Sequence, residues 1–263
     1  MPNLDTRTTK TPAVDDYTYL LSNDGTVEGK VELQDITVIP ETSRAINFTS
    51  SQTASQIQAD IDAVGKFIPE GVVITFQFAD GTYSLDESLN FFGFYGGGAM
   101  LIYGNTSEGH GLSTSQNVHL NFNNDSTGIY VRGCKCRLLQ IYNIKCTVND
   151  SRTAIQIFGG TVAFTQIRSC YLINTGKSSS NSRGCYVNEA SNAYIQDTYF
   201  SNNHAGIQCN NNSRVGTQNC DETGTDPNYG IVAGVNSTIG KVSGTVITGS
   251  IADESVANGG EIR

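Results

Sequence analysis

Between Gly128 and Ser250 the chain repeats a short apolar couplet five times: Ile129-Tyr130-Val131, Ile155-Gln156-Ile157, Cys185-Tyr186-Val187, Ile207-Gln208-Cys209 and Ile231-Val232-Ala233. Their first residues lie 26, 30, 22 and 24 positions apart. A second cassette follows each couplet after 8 to 12 residues: Ile141/Ile144/Cys146, Ile167/Cys170/Leu172, Ile195/Thr198/Phe200, Val215/Gln218/Cys220 and Val242/Thr245/Ile247. Its internal spacing is three then two each time. A loose repeat of this length with period-2 alternation is the signature of a solenoid. Each coil of a parallel solenoid adds one strand to each of two or three sheets, so equivalent apolar residues stack in columns. A two-sheet sandwich has no need of a recurring internal spacing. Parallel crossovers are right-handed by general preference. The expected fold is therefore all-β: a right-handed parallel β-helix.

Composition agrees. Gly is abundant at 28, Pro scarce at 5, and only 16% of residues are charged. That suits short strands joined by tight turns better than long helices. The net charge of −9 argues against nucleic acid as a partner. No apolar run is long enough to span a membrane. The first residues, MPNLDTRTTKTPAVDD, lack the apolar centre of a secretory signal, so synthesis in a cytoplasm is expected, with release by another route such as lysis.

The seven cysteines fit the repeat rather than a disulfide framework. Cys146, Cys170, Cys185, Cys209 and Cys220 fall on apolar positions and read as small core hydrophobes. Cys146 and Cys220 are expected to share a column three coils apart, about 14 Å, which is too far to bridge. Cys134 and Cys136 lie on an expected turn with no partner at zinc-site spacing.

Residues 1–46 differ from the rest and form a first segment. Ala13–Leu21 and Lys30–Leu33 read as two strands around the turn Ser22-Asn23-Asp24-Gly25-Thr26, with Asp-Gly at its centre. Residues 47–263 form the second. Ile57, Ile61, Val64 and Phe67 recur at helical spacing, with Ser51 or Thr53 as N-cap and Pro69 as the stop. One amphipathic helix before a solenoid is placed to cover its first coil. Val72–Phe78 reads as the first strand, and Phe94–Gly98 as a tight bend. Ile251–Arg263 is a small-residue tail.

The capping helix, then VVITFQFADGTYSLDESLNFFGFYGGG, then Asn-rich coils resemble the pectate-lyase-like β-helix of bacteriophage tail fibre and tailspike proteins. The leading TRTTKTPAVDDYTYLLSNDGTVEGKVELQDI is similar to short N-terminal attachment segments of phage fibres and appendages. The resemblance implies a virion protein, a homotrimer. It would join other tail or baseplate proteins through residues 1–46 and contact a host surface polysaccharide. Some members of that family also cleave the glycan.

Between the inward positions lie outward ones: Tyr130, Gln156, Tyr186 and Gln208 on one face, and Lys145, Tyr171, Tyr199 and Asn219 on another. Exposed tyrosines suit sugar stacking, and equally suit contacts between subunits. Glycoside hydrolysis would need two carboxylates about 5–9.5 Å apart. Asp197, Asp221 and Glu222 are the candidates, with Asp197 also placed to pair with Arg168. A turn carboxylate more often caps backbone. There is no D-x-D-x-D run for calcium, and His110, His119 and His204 stand apart. No metal or cofactor is expected.

Overall fold

A computed structural model of the chain describes residues 43–105, 111–160 and 164–263 in full, and the backbone of Tyr17–Leu21 and Val27–Glu32. The chain divides into two compact units, Met1–Val38 and Ile39–Arg263. In the first, Tyr17–Leu21 pairs antiparallel with Val27–Glu32, from Tyr17 opposite Glu32 to Leu21 opposite Val27. The return strand thus begins earlier than expected. The Asp-Gly turn lies outside the described residues.

The second unit is a right-handed parallel β-helix of about 8 turns. Its nine-stranded sheet comprises Arg44–Phe48, Val73–Phe78, Tyr95–Tyr103, Lys135–Tyr142, Phe164–Arg168, Asn192–Gln196, Arg214–Gln218, Thr238–Lys241 and Glu261–Ile262. The six-stranded sheet comprises Gly81–Leu85, Val118–Phe122, Lys145–Val148, Tyr171–Asn174, Tyr199–Ser201 and Asp221–Glu222. The seven-stranded sheet comprises Leu89–Phe92, Ile129–Arg132, Thr153–Phe158, Arg183–Val187, Ala205–Cys209, Tyr229–Ala233 and Ala252–Val256. Arg44–Phe48 pairs in register with Arg44 opposite Ile74, so the residues just before 47 already belong to the solenoid. The expected bend at Gly96–Gly98 is instead the start of a long strand. There the chain at Ile68–Val72 passes so close that a Cβ on Gly98 would sit 2.4 Å from Pro69 O. The small-residue tail extends two of the sheets by one strand each.

The couplets align as expected. Ile129, Ile155, Cys185, Ile207 and Ile231 form one buried column of the seven-stranded sheet. The cassettes align for three coils, with Ile141, Ile167 and Ile195 in register. The fourth is shifted by two residues: Thr217, not Val215, pairs with Ile195, while Val215 pairs with Ala193. Strand Arg214–Gln218 has two inward residues, and the polar one, fully buried, takes the column. Val242 is correspondingly 48% exposed. Cys220 then follows Thr198, and Glu222 pairs with Phe200 below Leu172. Cys146 and Cys220 therefore stand in different columns.

All seven cysteines are free and buried, Cys134 and Cys136 included. Burial pushes the thiols of Cys134, Cys170, Cys209 and Cys220 up to about 12. Thiolate is the reactive form. The native protein is therefore expected to leave a colourless disulfide-exchange reagent unchanged at neutral pH, and to release seven equivalents only on unfolding. Rapid labelling of any thiol in the folded state would overturn this placement.

The N-terminal helix is Ala54–Asp62, shorter than its apolar spacing implied. Thr53 caps it, in a capping box with Gln56. Ile57, Ile61 and Val64 are buried. Phe67 lies beyond the helix, 45% exposed, and bridges to Tyr95. Gln58 donates to Asn90 O at 3.0 Å and accepts from Asn90 N at 2.8 Å. Its amide thereby satisfies the edge strand of the seven-stranded sheet, and the helix covers the start of the solenoid. Beneath it the core is aromatic: Phe48, Phe76, Phe78, Tyr83, Phe91 and Phe94 interlock, with ring pairs such as Phe76–Phe91 at 5.1 Å.

Two corners repeat left-handed backbone. At one, Asn143, Ser169, Asp197 and Asn219 have φ between 49° and 54°. At the other, five successive coils place two such residues in succession: Gly159-Gly160, Glu189-Ala190, Asn211-Asn212, Val235-Asn236 and Asn258-Gly259. Asn and Gly accept this conformation readily, but a β-branched residue does not. Val235 holds φ 40°. Val235→Asn is expected to raise stability by about 1 kcal/mol in denaturant unfolding. An unchanged or lower midpoint would show that Val235 is not strained.

Candidate functional site

The outward positions of the six-stranded sheet form one ladder. His119, Lys145, Tyr171, Tyr199 and Asp221 occupy successive rungs. Asp221 takes the rung expected for Asn219, which instead turns the corner with φ 49°. The cause is the same two-residue shift that moved Thr217 into the column. The alternation of buried and half-buried residues in Lys145–Val148 and Tyr171–Asn174 keeps these side chains outside. Lys145 Nζ lies 5.6 Å from the Tyr171 ring centre, within cation–π range. The Tyr171 and Tyr199 rings are 6.4 Å apart and tilted by 73°, so they form a corner rather than a flat plate. His119 Nε2 meets Thr147 Oγ1 at 2.9 Å. Burial, aided by the Lys145 charge, lowers the proton affinity of His119.

The three candidate carboxylates part company. Asp197 is 7% exposed; one oxygen accepts from Arg168 Nε at 3.0 Å and the other from Asn219 Nδ2 at 2.7 Å. The pairing with Arg168 is as expected, and it commits the group to the corner. Glu222 accepts from Thr248 N at 2.8 Å and Thr248 Oγ1 at 2.5 Å, tying the last coil to the one below. Asp221 alone faces outward beside Tyr199. Burial first, then the neighbouring Glu222 charge, raise its pKa, against the Glu222 N–H that donates to it at 2.9 Å.

Tyr130 and Tyr186 lie on the seven-stranded sheet, two rungs apart with Gln156 between them. Tyr130 packs edge-on against Phe92, at 5.1 Å, and Phe158, at 6.2 Å. Arg183 stacks on Tyr186 at 4.4 Å, and Asn210 Nδ2 donates to its hydroxyl at 3.3 Å. Both rings are thus held by neighbours in their own chain. Among the described residues no cluster of His, Cys, Asp and Glu is fit to hold a metal, and no helix is long and apolar enough to cross a membrane.

Sequence reasoning missed a trough of about 690 Å³ on the outer face of the nine-stranded sheet, lined by Phe164, Tyr194, Arg214 and Gly216 among others. One signal was present: Gly216, which lines the trough, sits inside a strand pattern.

Fold and surface together define a right-handed parallel β-helix with aromatic and polar outer ladders. No protein-family model matches the chain, and no curated protein or solved structure is significantly similar to it.

Proposed function

We propose that this chain is a phage or prophage virion protein, a tail fibre, spike or appendage. It assembles as a homotrimer, attaches through the part of residues 1–46 that precedes the solenoid strand Arg44–Phe48, and touches the host surface through its coils, where it binds a surface glycan. The observation that carries the binding reading is the adjacent pair Tyr171 and Tyr199, half-buried on consecutive rungs with Lys145 and Asp221 on either side. Amphipathic rings spaced by one coil suit sugar faces, and the flanking charges suit hydroxyls. A solenoid with a separate small N-terminal unit supports the attachment role.

The joint variant Tyr171→Ala/Tyr199→Ala is expected to bind a panel of bacterial surface polysaccharides about tenfold more weakly, a loss of about 1.4 kcal/mol. Its melting temperature should match the parent. Equal binding would refute the role of this ladder. Light scattering at micromolar concentration should give three chains per particle, and a monomer would count against the virion reading.

One observation favours a second reading, a polysaccharide depolymerase. Asp221 holds its proton more tightly than an ordinary carboxylate and faces outward beside a tyrosine. A general acid needs such a group. Release of reducing ends from the same panel, abolished in Asp221→Asn, would establish it; a panel left intact by the parent would dismiss it.

A further inference from the structure

We propose that the trough on the nine-stranded sheet is a second binding site, one that takes a carboxylate-bearing segment of an extended glycan. The inference rests on the glycan-binding reading above, but on different residues and a different face.

Two outward ladders build the trough. Asn192, Arg214 and Thr238 occupy one, in direct register, with Phe164 at the rung before Asn192. Tyr194, Gly216 and Gly240 occupy the other, and Arg263 lies beyond Gly240, where Lys241 N donates to its carbonyl at 2.7 Å. Two successive rungs without side chains thus lie between a tyrosine and an arginine. The trough flanked by Phe164, Asn192, Tyr194, Arg214, Thr238 and Arg263, about 690 Å³, is within the usual range for small-molecule sites. Four coil steps at about 4.8 Å make it roughly 19 Å long, enough for several sugar rings in a row.

The two glycines have different reasons. Gly216 lies under the Tyr194 ring: an added Cβ would stand 2.8 Å from Cδ2. The Tyr194 hydroxyl donates to Gln218 Oε1 at 2.6 Å, which pins the ring there. Gly240 has no such reason. Its φ is ordinary for any residue, and a Cβ would meet nothing nearer than Val215 O at 4.0 Å. A glycine inside a strand weakens it and marks close approach of a ligand or another backbone. Gly240 stands in register between Gly216 and Arg263, which both line the trough, so a side chain there would project at its edge.

The walls name the ligand. Phe164 is 61% exposed at one end, and Tyr194 presents the face of a fixed ring. Such surfaces stack on the apolar faces of pyranose rings. Arg263 is paired with Glu261 at 2.7 Å, whereas Arg214 makes no ion pair among the described residues. Guanidinium matches a carboxylate as a two-pronged donor. A single unpaired cation in the trough, on a chain of net charge −9, selects an isolated carboxylate and not a dense polyanion such as nucleic acid.

The test measures binding of a glucuronate-containing oligosaccharide and of the same oligosaccharide after carboxyl reduction. The parent should bind the carboxylated form at least tenfold more tightly. Gly240→Val places methyl groups at the edge of the trough, between Gly216 and Arg263, while improving strand propensity. It should melt no lower than the parent and lose both ligands. Arg214→Gln should bind the two forms equally. Undiminished binding by folded Gly240→Val, or equal binding of both forms by the parent, would overturn the proposal. Should Gly240→Val fail to fold, Arg214→Gln alone decides. Joint loss of Tyr171 and Tyr199 should leave glucuronate binding intact. Polysaccharide binding that depends on those tyrosines but not on Gly240 or Arg214 would refute this site and leave the function proposed above standing.

Discussion

Phe200→Ala is expected to lower the unfolding free energy by about 3–5 kcal/mol, the usual loss when a fully buried phenylalanine leaves a cavity. Phe200 is 0% exposed, in the column below Leu172. Its ring spans the interior toward the seven-stranded sheet, where Gly184 and Gly206 stand on adjacent rungs. A Cβ on Gly184 would lie 2.4 Å from Phe200 Cδ1, and one on Gly206 would lie 3.5 Å from Phe200 Cγ. The phenyl ring thus fills volume that the two glycines leave, with the Ile247 side chain beside it at Gly206. Gly184→Ala should destabilise as well, because its Cβ also meets Gly206 O at 2.7 Å. Combined with Phe200→Ala it should cost less than the sum, since the ring it struck is gone. Denaturant midpoints of the two single variants and the double variant measure this. Simple additivity would show that the ring and the glycine do not share this space.

Asp197→Ala should cost about 3 kcal/mol, in the range for removing one partner of a buried ion pair. The side chains of Asp197 and Arg168 are 9% and 26% exposed, so solvent screens the pair only partly. Alanine would strand Arg168 and Asn219 together and would also sit less easily at φ 50°. Asp197→Asn keeps a residue suited to that corner and should lose less. Neither variant should alter glycan binding or release reducing ends differently from the parent once folded. A stable Asp197→Ala protein that had lost a glycan-cleaving activity would instead return Asp197 to the list of acting groups.

The column of Ile129, Ile155 and Cys185 was legible because six successive strands of the seven-stranded sheet, from Leu89 to Ile231, carry an apolar residue there. Asp197 with Arg168 was legible too, since residues at equivalent positions of adjacent coils are neighbours by construction. The fourth cassette was not. Val215 and Thr217 both face inward, and apolarity favoured the valine although register places the threonine opposite Ile195. That single shift also hid Asp221 beneath Tyr199 and put Glu222 below Phe200. The trough was illegible for a related reason. Its walls are outward side chains of four strands, Phe164, Tyr194, Arg214 and Thr238, and their mutual placement is set by register and not by any period in the chain.

The sequence by itself determined the parallel solenoid, the couplet column, five of the seven thiols as core residues and a helix at the start, because each follows from spacing along the chain; Cys134 and Cys136, expected on a turn, are buried as well. Only the tertiary structure decided which rung each residue takes at a coil of changed length, which carboxylate stays free, and where the surface opens. Those depend on hydrogen-bond register between strands more than twenty residues apart, and a shift of two positions keeps every side chain on its face while changing all of its neighbours.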